Sequence, residues 1–313
     1  MEIIKNIDQI DKPFENAVIT IGNFDGVHLG HQSLLDCVVK KAEQINGRSI
    51  AMTFDPHPLK ILGVNPPPVI TRIDQKTELI KACGIDVLLC FAFDRGFSLT
   101  SAHDFVEHCL VKKLGMKIII IGPDYTFGKN KQGNVDLLKE LGEKFGFQTI
   151  VSSTINISEH KDLDQFDRIS STKIREIVMQ GDVNRAKKYL GRYYQIRGKV
   201  IVGRKRGGSQ LGFPTANIKL HDELCPKFGV YAVIIETIKG NFKGVANIGI
   251  SPTFDDKEFT IEVHILNFDY DIYNTKIRVN IVERLRDEIK FHSIEKLSSQ
   301  IFKDIEVAKK ILR

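Results

Sequence analysis

Gly22-Asn23-Phe24-Asp25-Gly26-Val27-His28-Leu29-Gly30-His31 follows directly on the apolar run Ala17-Val18-Ile19-Thr20-Ile21. Beyond it, Leu34, Leu35, Val38, Val39, Ala42 and Ile45 recur at helical spacing. A buried strand therefore breaks into a glycine-rich turn and restarts as an amphipathic helix. This spacing puts His28 and His31 in the first helical turn, on the same side. A helix N-terminus offers unpaired N–H groups and a partial positive charge, which suit phosphate. Two imidazoles beside it can donate toward charge developing on a phosphoryl group. One histidine near a helix start reads as a surface or capping residue, whereas two in this strand–turn–helix setting read as nucleotide chemistry. It is not a Walker A loop: Gly122 to Gly128-Lys129 has five intervening residues and Asn130 after the lysine. No Gly-x-Gly-x-x-Gly occurs either, which argues against an ordinary dinucleotide fingerprint.

At 313 residues the chain is long for one core and comfortable for two. Apolar residues at 42% and charged residues at 27% give the balance of a soluble globular protein. The formal charge of +6 suits anionic small molecules and falls short of the dense basic surface of a dedicated nucleic-acid binder. Cys37, Cys83, Cys90, Cys109 and Cys225 form no Cys-x-x-Cys pair and read as reduced thiols, so a cytoplasmic location is expected. Neither a signal peptide's apolar stretch nor a run of membrane-spanning length occurs.

Two rhythms divide the chain. Up to about residue 190, strands are expected at 17–21, 49–54, 86–92, 117–121 and 147–151, with helices at 29–45, 74–83, 101–114 and 134–145. Ile118-Ile119-Ile120-Ile121 is the clearest run of the kind buried on both faces. Ser101 and Asp104 form an expected capping box. The alternation implies a Rossmann-like α/β domain: a parallel sheet wrapped by helices, with ligands at the carboxyl ends of the strands. After Leu190-Gly191-Arg192, β-type runs recur at 194–202, 229–238, 242–248, 259–266 and 276–283, and a helix is expected near 294–312. This half reads as a small Greek-key β-barrel with a terminal helix. A helical stretch at 171–190 leads from one module to the next, so the domains are placed at 1–186 and 187–313.

Three further segments of the first half carry polar chemistry. Thr53-Phe54-Asp55-Pro56-His57-Pro58 ends a strand and reads equally as a structural turn. Gly122-Pro123-Asp124-Tyr125-Thr126-Phe127-Gly128 follows the isoleucine strand and either presents Asp124 to a ligand or tucks its aromatics inward. Arg168-Ile169-Ser170-Ser171-Thr172-Lys173-Ile174-Arg175 joins hydroxyls at a helix start to three cations, a second polyphosphate clamp or an ordinary N-cap.

In the second half, Gly203-Arg204-Lys205-Arg206-Gly207-Gly208-Ser209-Gln210-Leu211-Gly212-Phe213-Pro214-Thr215-Ala216-Asn217 is equally dense. Its glycines let backbone wrap closely around a ligand, and its cations can meet phosphate. Thr215 and Asn217 would project from one face of an extended chain, and their neutral oxygens suit Mg²⁺ shared with a nucleotide. Taken singly, the basic run reads as a solvated loop and Pro-Thr-Ala-Asn as a turn entering a strand.

Together the first-half motifs resemble the nucleotidyltransferase superfamily with two histidines flanking a glycine. Nearly the whole chain is similar to the bacterial bifunctional riboflavin kinase/FMN adenylyltransferases, or FAD synthetases. The resemblance continues through the Gly-rich and Pro-Thr-Ala-Asn segment, Gly229-Val230-Tyr231-Ala232, Ala246-Asn247-Ile248-Gly249, Pro252-Thr253-Phe254, and Leu285-Arg286-Asp287-Glu288 before Lys290-Phe291. It implies that an N-terminal domain converts FMN and ATP to FAD and diphosphate, and that a C-terminal domain converts riboflavin and ATP to FMN and ADP. By the resemblance His28, His31, Ser171, Thr172 and Arg175 contact ATP phosphates, supported by Arg168. Gly22, Phe24, Asp25 and Gly26 line that site, and Asp124 lies near nucleotide or metal. Pro123-Asp124-Tyr125 departs from the family's usual acidic residue, Asp or Asn, then Phe. Gly203, Lys205, Gly207, Gly212, Pro214, Thr215, Asn217 and Arg286 are implied at the kinase site, with Thr215 and Asn217 on Mg²⁺. The family's activating glutamate falls on Glu262, although its strand pattern alone reads as an outward-facing residue.

Riboflavin, FMN, FAD and ATP are thus the expected partners, with Mg²⁺ on the polyphosphates and neither nucleic acid nor membrane. Two other readings stay open at the level of sequence. One is a nucleotidyltransferase for a different phosphorylated metabolite with a regulatory barrel. The other is an oligonucleotide-binding barrel with Arg204–Arg206 on the backbone.

Overall fold

The computed structural model describes residues 1–152, 169–201, 213–220, 223–252 and 257–313, without the side chains of 250–252 and 257–260. The described residues form two compact units, Met1–Pro67 with Thr71–Ser170, and Pro68–Ile70 with Ser171–Arg313.

In the first unit six strands form one sheet in the order β1-β4-β3-β2-β5-β6, every pair parallel. They are β1 Glu2–Ile4, β2 Ala17–Ile21, β3 Ser49–Phe54, β4 Val87–Phe91, β5 Met116–Ile121 and β6 Gln148–Val151. Helices α1 Leu29–Gln44, α2 Pro58–Ile61, α3 Ile73–Ala82, α4 Arg95–Ser98, α5 Ala102–Asp104 and α6 Val135–Phe145 connect them. The chain continues from α5 through a π-helical stretch, Phe105–Lys113, where the sequence led us to expect ordinary helix. At the start of α5 Ser101 is the N-cap, accepting from the Asp104 N–H at 3.0 Å, but the expected capping box does not close, because the Asp104 carboxylate accepts from the Ser101 hydroxyl at 2.7 Å instead of from its backbone N–H.

The strands are continuously apolar because both faces of the sheet are covered. Ile19, Ile21, Met52, Leu89, Ile119 and Ile121 pack with Phe105, Leu110, Leu138 and Leu141. The intervening Val18, Ala51, Leu88, Ile118 and Ile120 pack with Leu35, Val38 and Ile80 of α1 and α3. Burying an isoleucine of this kind contributes roughly 1.5–3 kcal/mol, so strand alternation and helix placement are fixed together. From β2 the chain winds outward through β3 and β4 on one side, then through β5 and β6 on the other. The topological switch point therefore lies between the carboxyl ends of β2 and β5, where open α/β sheets bind ligands.

The second unit opens with α7 Ser171–Gln180 and α8 Val183–Leu190. The single helical stretch expected at 171–190 is broken at Gly181, whose φ of 85° no ordinary helical residue adopts. Asp182 then caps α8, accepting from the Arg185 N–H at 3.0 Å. Six antiparallel strands close into a barrel in the order β10-β11-β8-β7-β12-β9. They are β7 Tyr194–Ile201, β8 Thr215–Lys219, β9 Gly229–Thr237, β10 Gly240–Pro252, β11 Lys257–Ile265 and β12 Lys276–Arg286. Ile218, Val233, Ile235, Ile248, Ile261, Val263, Val279 and Ile281, all fully buried, fill its interior. On the outside, Val230, Ala232, Val245 and Val282 are covered by Ile305, Ala308 and Leu312 of the terminal α9, Ile294–Ile311, and its C-cap. This is the α/β domain followed by a small barrel with a terminal helix that the two rhythms implied.

Candidate active sites

Residues 22–31 leave β2 at the switch point, and residues 122–128 leave the adjacent β5. The first turn is held in an unusual backbone. Phe24, Gly26 and Val27 have φ of 46°, 87° and 37°. For the β-branched Val27 such a conformation costs on the order of 1–3 kcal/mol. It persists because the Phe24 and Val27 side chains are sunk among Leu35, Val38 and Ile80. A side chain at Gly22 would press on the Phe24 ring at 3.3 Å.

His28 is the N-cap of α1 rather than a helical residue, with φ −72° and ψ 170°; its Nδ1 accepts from the His31 N–H at 3.3 Å. In the neutral ring the proton therefore sits on Nε2, which remains a donor. The two rings stack with centroids 3.6 Å apart and planes at 17°, while Phe24 meets His31 edge-on at 5.3 Å. His31 Nδ1 is buried and has no hydrogen-bond partner among the described residues. Burial, the neighbouring His28 and the Lys76 cation hold the His31 pKa well below its ordinary value. The site thus presents a stacked pair of imidazoles at a helix N-terminus, with an unsatisfied buried nitrogen on His31.

Other residues of the motif brace it. Asp25 is 4% exposed and accepts from the Thr71 N–H at 3.0 Å and the Thr71 hydroxyl at 3.3 Å; the Gly26 N–H reaches the same hydroxyl at 2.9 Å. Asn23, quoted in the motif but given no role there, is a junction. Its carbonyl accepts from Lys76 Nζ at 2.6 Å and the Thr53 hydroxyl at 3.2 Å, and its side-chain amide lies 3.2 Å from His57 Nε2. His57 Nδ1 accepts from the Leu59 N–H at 3.2 Å, capping α2. Lys76 went unrecognised in the sequence because a lysine on an amphipathic helix reads as solvated. Its i,i+4 relation to the apolar Ile80 was the available signal.

At the same end of the sheet an aromatic series spans the carboxyl ends of β3, β4 and β5. Phe54 meets Phe93 at 5.6 Å, Phe93 meets Phe97 at 5.6 Å, Phe97 meets Phe105 at 5.6 Å, and Phe105 meets Phe127 at 6.0 Å. Tyr125 stacks on Phe127 at 5.5 Å, and burial pushes its phenol pKa up. Thus the aromatics of 122–128 turn inward while Asp124 is exposed.

In the second unit, Ser171 and Thr172 open α7, and Arg175 Nε donates to the Pro68 carbonyl at 2.9 Å. The register of the barrel then assembles its polar row. Asn217 of β8 lies directly opposite Glu262 of β11, and Glu262 opposite Asn247 of β10. The buried Ile261 and Val263 flank the exposed Glu262, so the carboxylate projects outward from the barrel. Thr215 shares that face and opposes His264, whose Nδ1 donates to the Pro214 carbonyl at 2.9 Å. Phe213 packs edge-on against His264 and against Phe302 of α9. Asn217 Nδ2 donates weakly to the Thr215 carbonyl at 3.4 Å, which leaves its side-chain oxygen for another partner. Arg286 is drawn elsewhere: its Nε and Nη2 grip the Asp304 carboxylate of α9 at 2.9 and 2.7 Å, and Nη1 donates to the Asp287 carbonyl. Arg168, Gly203, Lys205, Gly207 and Gly212 lie outside the described residues, as do Arg204, Arg206, Thr253 and Phe254.

Comparison with known proteins bears on both units. A family described as FAD synthetase matches residues 10–173, and one described as riboflavin kinase matches residues 190–312. The bifunctional riboflavin kinase/FMN adenylyltransferase of Buchnera aphidicola subsp. Schizaphis graminum is 41% identical, over 99% of this chain and 98% of the relative. The relative of the same description from Haemophilus influenzae is 39% identical over 99% and 98%, and that of Escherichia coli K12 is 36% identical over 97% and 96%. A crystal structure described as a macrolide-efflux protein from Streptococcus pneumoniae has a TM-score of 0.86 and 32% identity, covering 98% of both chains. Among the described residues no helix is long and apolar enough to cross a membrane.

Proposed function

The chain belongs to the family of bifunctional riboflavin kinase/FMN adenylyltransferases, and from that premise we propose how its residues divide the two reactions. It is an enzyme that phosphorylates riboflavin with ATP to FMN and adenylylates FMN with a second ATP to FAD. We assign FMN adenylylation to a domain at 1–186 and riboflavin phosphorylation to one at 187–313.

For adenylylation, an FMN phosphate oxygen attacks the α-phosphorus of ATP and the bond to pyrophosphate breaks. That nucleophile, with a second pKa of about 6, is already largely ionised, so no strong base is required. His28 and His31 supply N–H donors to the oxygens gaining charge, together with the open N–H groups of α1. The His31 Nδ1 supports this reading: a buried polar atom without a partner among the described residues suits an incoming ligand. Gly22, Phe24, Asp25 and Gly26 set the turn, Arg168, Ser171, Thr172 and Arg175 serve the triphosphate, and Asp124 faces nucleotide or metal. The aromatic series from Phe54 to Tyr125 offers flat apolar surface for the isoalloxazine ring.

For phosphorylation the nucleophile is an alcohol, and a general base contributes about 10²–10⁴-fold. Glu262 takes the ribityl hydroxyl proton as that oxygen attacks the γ-phosphorus and the bond to ADP breaks. The opposed register of Glu262 and Asn217 is the observation that carries this assignment. Among the described residues no group of three or more His, Cys, Asp or Glu side chains could hold a metal by itself. The Thr215 and Asn217 oxygens are instead the sparse, hard donor set that suits Mg²⁺ completed by water and nucleotide. Bound there, the ion would neutralise phosphate charge. Gly203, Lys205, Gly207, Gly212 and Pro214 serve the nucleotide or flavin, and the family resemblance assigns Arg286 to the same site. The five cysteines are free thiols, which supports a reducing, cytoplasmic setting.

Incubation of the whole chain with riboflavin, ATP and Mg²⁺, followed by separation of flavins, tests the two-step reading. FMN forms first and FAD follows; absence of FMN under conditions that convert added FMN to FAD would remove the kinase assignment.

A further inference from the structure

We propose that Lys76 is a positioning residue for FMN adenylylation, fixing through the Asn23 carbonyl the phosphate-binding turn that leads to the paired histidines. The proposal rests on the reading that His28 and His31 hold the triphosphate.

Lys76 lies in the first turns of α3 and is 8% exposed. Its Nζ donates to the Asn23 carbonyl at 2.6 Å, and the Thr53 hydroxyl donates to the same oxygen at 3.2 Å. That carbonyl belongs to the turn between β2 and α1, one residue before the positive-φ Phe24. Drawing it inward fixes the peptide plane from which the turn departs. The Asn23 side chain continues the linkage to His57 and the start of α2. One ammonium therefore ties α3, the switch-point turn and the segment after β3 into a single bracket.

Its charge acts as well as its donor capacity. Burial lowers the Lys76 pKa from its ordinary value, and the Coulombic influence of Asp25 of the turn, Cys90 of β4 and Asp55 after β3 opposes that shift without overcoming it. His31 of α1 feels that cation together with His28, and both lower its affinity for a proton. His31 is thereby held as a neutral imidazole, which offers a ring N–H to phosphate. A lysine that served packing alone would have no such effect on His31.

The test uses the full chain and the variants Lys76→Met, Lys76→Arg and His31→Ala. FMN adenylylation and riboflavin phosphorylation are followed separately, and the His31 ring is titrated by NMR. Lys76→Met lowers kcat for adenylylation by on the order of 10²-fold, the usual penalty of a misplaced reacting group. It also raises the His31 titration midpoint and leaves phosphorylation unchanged, while Lys76→Arg recovers most of the rate and keeps the midpoint low. Should Lys76→Met fail to fold, Lys76→Gln keeps a donor for Asn23 without the charge and is read in the same way. Unchanged adenylylation in a folded Lys76→Met protein, beside an impaired His31→Ala, overturns the proposal. So does a rate loss with an unmoved His31 midpoint, which marks a merely structural residue. Unchanged adenylylation in His31→Ala overturns instead the histidine assignment beneath it.

Discussion

Glu262 and Asn217 occupy opposed register positions on adjacent strands of the barrel, both on its outer face. Opposed residues on one face hold their Cβ atoms about 4.5–5.5 Å apart, close enough for a carboxylate and an amide oxygen to address one substrate and its ion. The pairing gives riboflavin phosphorylation a base beside its metal ligands, a requirement that FMN adenylylation does not share.

Glu262→Gln therefore abolishes riboflavin phosphorylation while added FMN is still converted to FAD. The residual phosphorylation rate falls by about 10²–10⁴-fold, the range of general-base catalysis. Loss of both activities together would refute independent sites.

The paired histidines make the converse prediction. His28→Ala combined with His31→Ala removes the cap of α1 and two donors to the developing charge, so FAD formation drops by roughly 10²–10³-fold or more. Riboflavin is still phosphorylated and FMN accumulates. Unchanged FAD output, read by chromatography of the flavins, would remove these residues from the reaction.

The low proton affinity of His31 has a consequence for stability. Its folded pKa is depressed below the ordinary 6.5, so at mildly acidic pH the unfolded chain binds the proton more readily. This contribution to stability is fully present above about pH 6.5 and is lost progressively as pH falls toward the folded value. His31→Gln should therefore show a smaller drop in thermal midpoint between neutral and mildly acidic pH than the parent chain. Equal drops would show that His31 is readily protonated where it sits.

The fold was legible wherever local pattern and tertiary environment agreed. The isoleucine run of β5 is buried on both faces, and β3 and α1 lie where apolar spacing put them. Three residues of β1 carried too little pattern to be read, since only Ile4 among them is buried. The break at Gly181 had a glycine followed by a capping aspartate as its signal. For the candidate sites, sequence identified the chemistry-bearing residues but not their relations. Nothing near Lys76 announces that it reaches back to Asn23, and nothing near Asn217 announces Glu262. Such partners are set by sheet order and register, which emerge only when distant segments pack.

Arg286 shows where a motif reading and the geometry lead to different experiments. The family resemblance implies a ligand contact, whereas here its guanidinium grips the buried Asp304 bidentately and Gln300 Nε2 adds a 2.9 Å bond to the same carboxylate. The pair fastens α9 to the end of β12, beside the Ile305 and Ala308 contacts that cover the barrel. Removing one partner of a buried pair leaves the other charge uncompensated, a cost of roughly 3–5 kcal/mol. Arg286→Met should accordingly lower the denaturant midpoint of the barrel, and adding Asp304→Leu should recover much of the loss. If Arg286→Met instead leaves stability intact and weakens riboflavin or ATP binding, the guanidinium acts on ligand and the grip on Asp304 is incidental to its role.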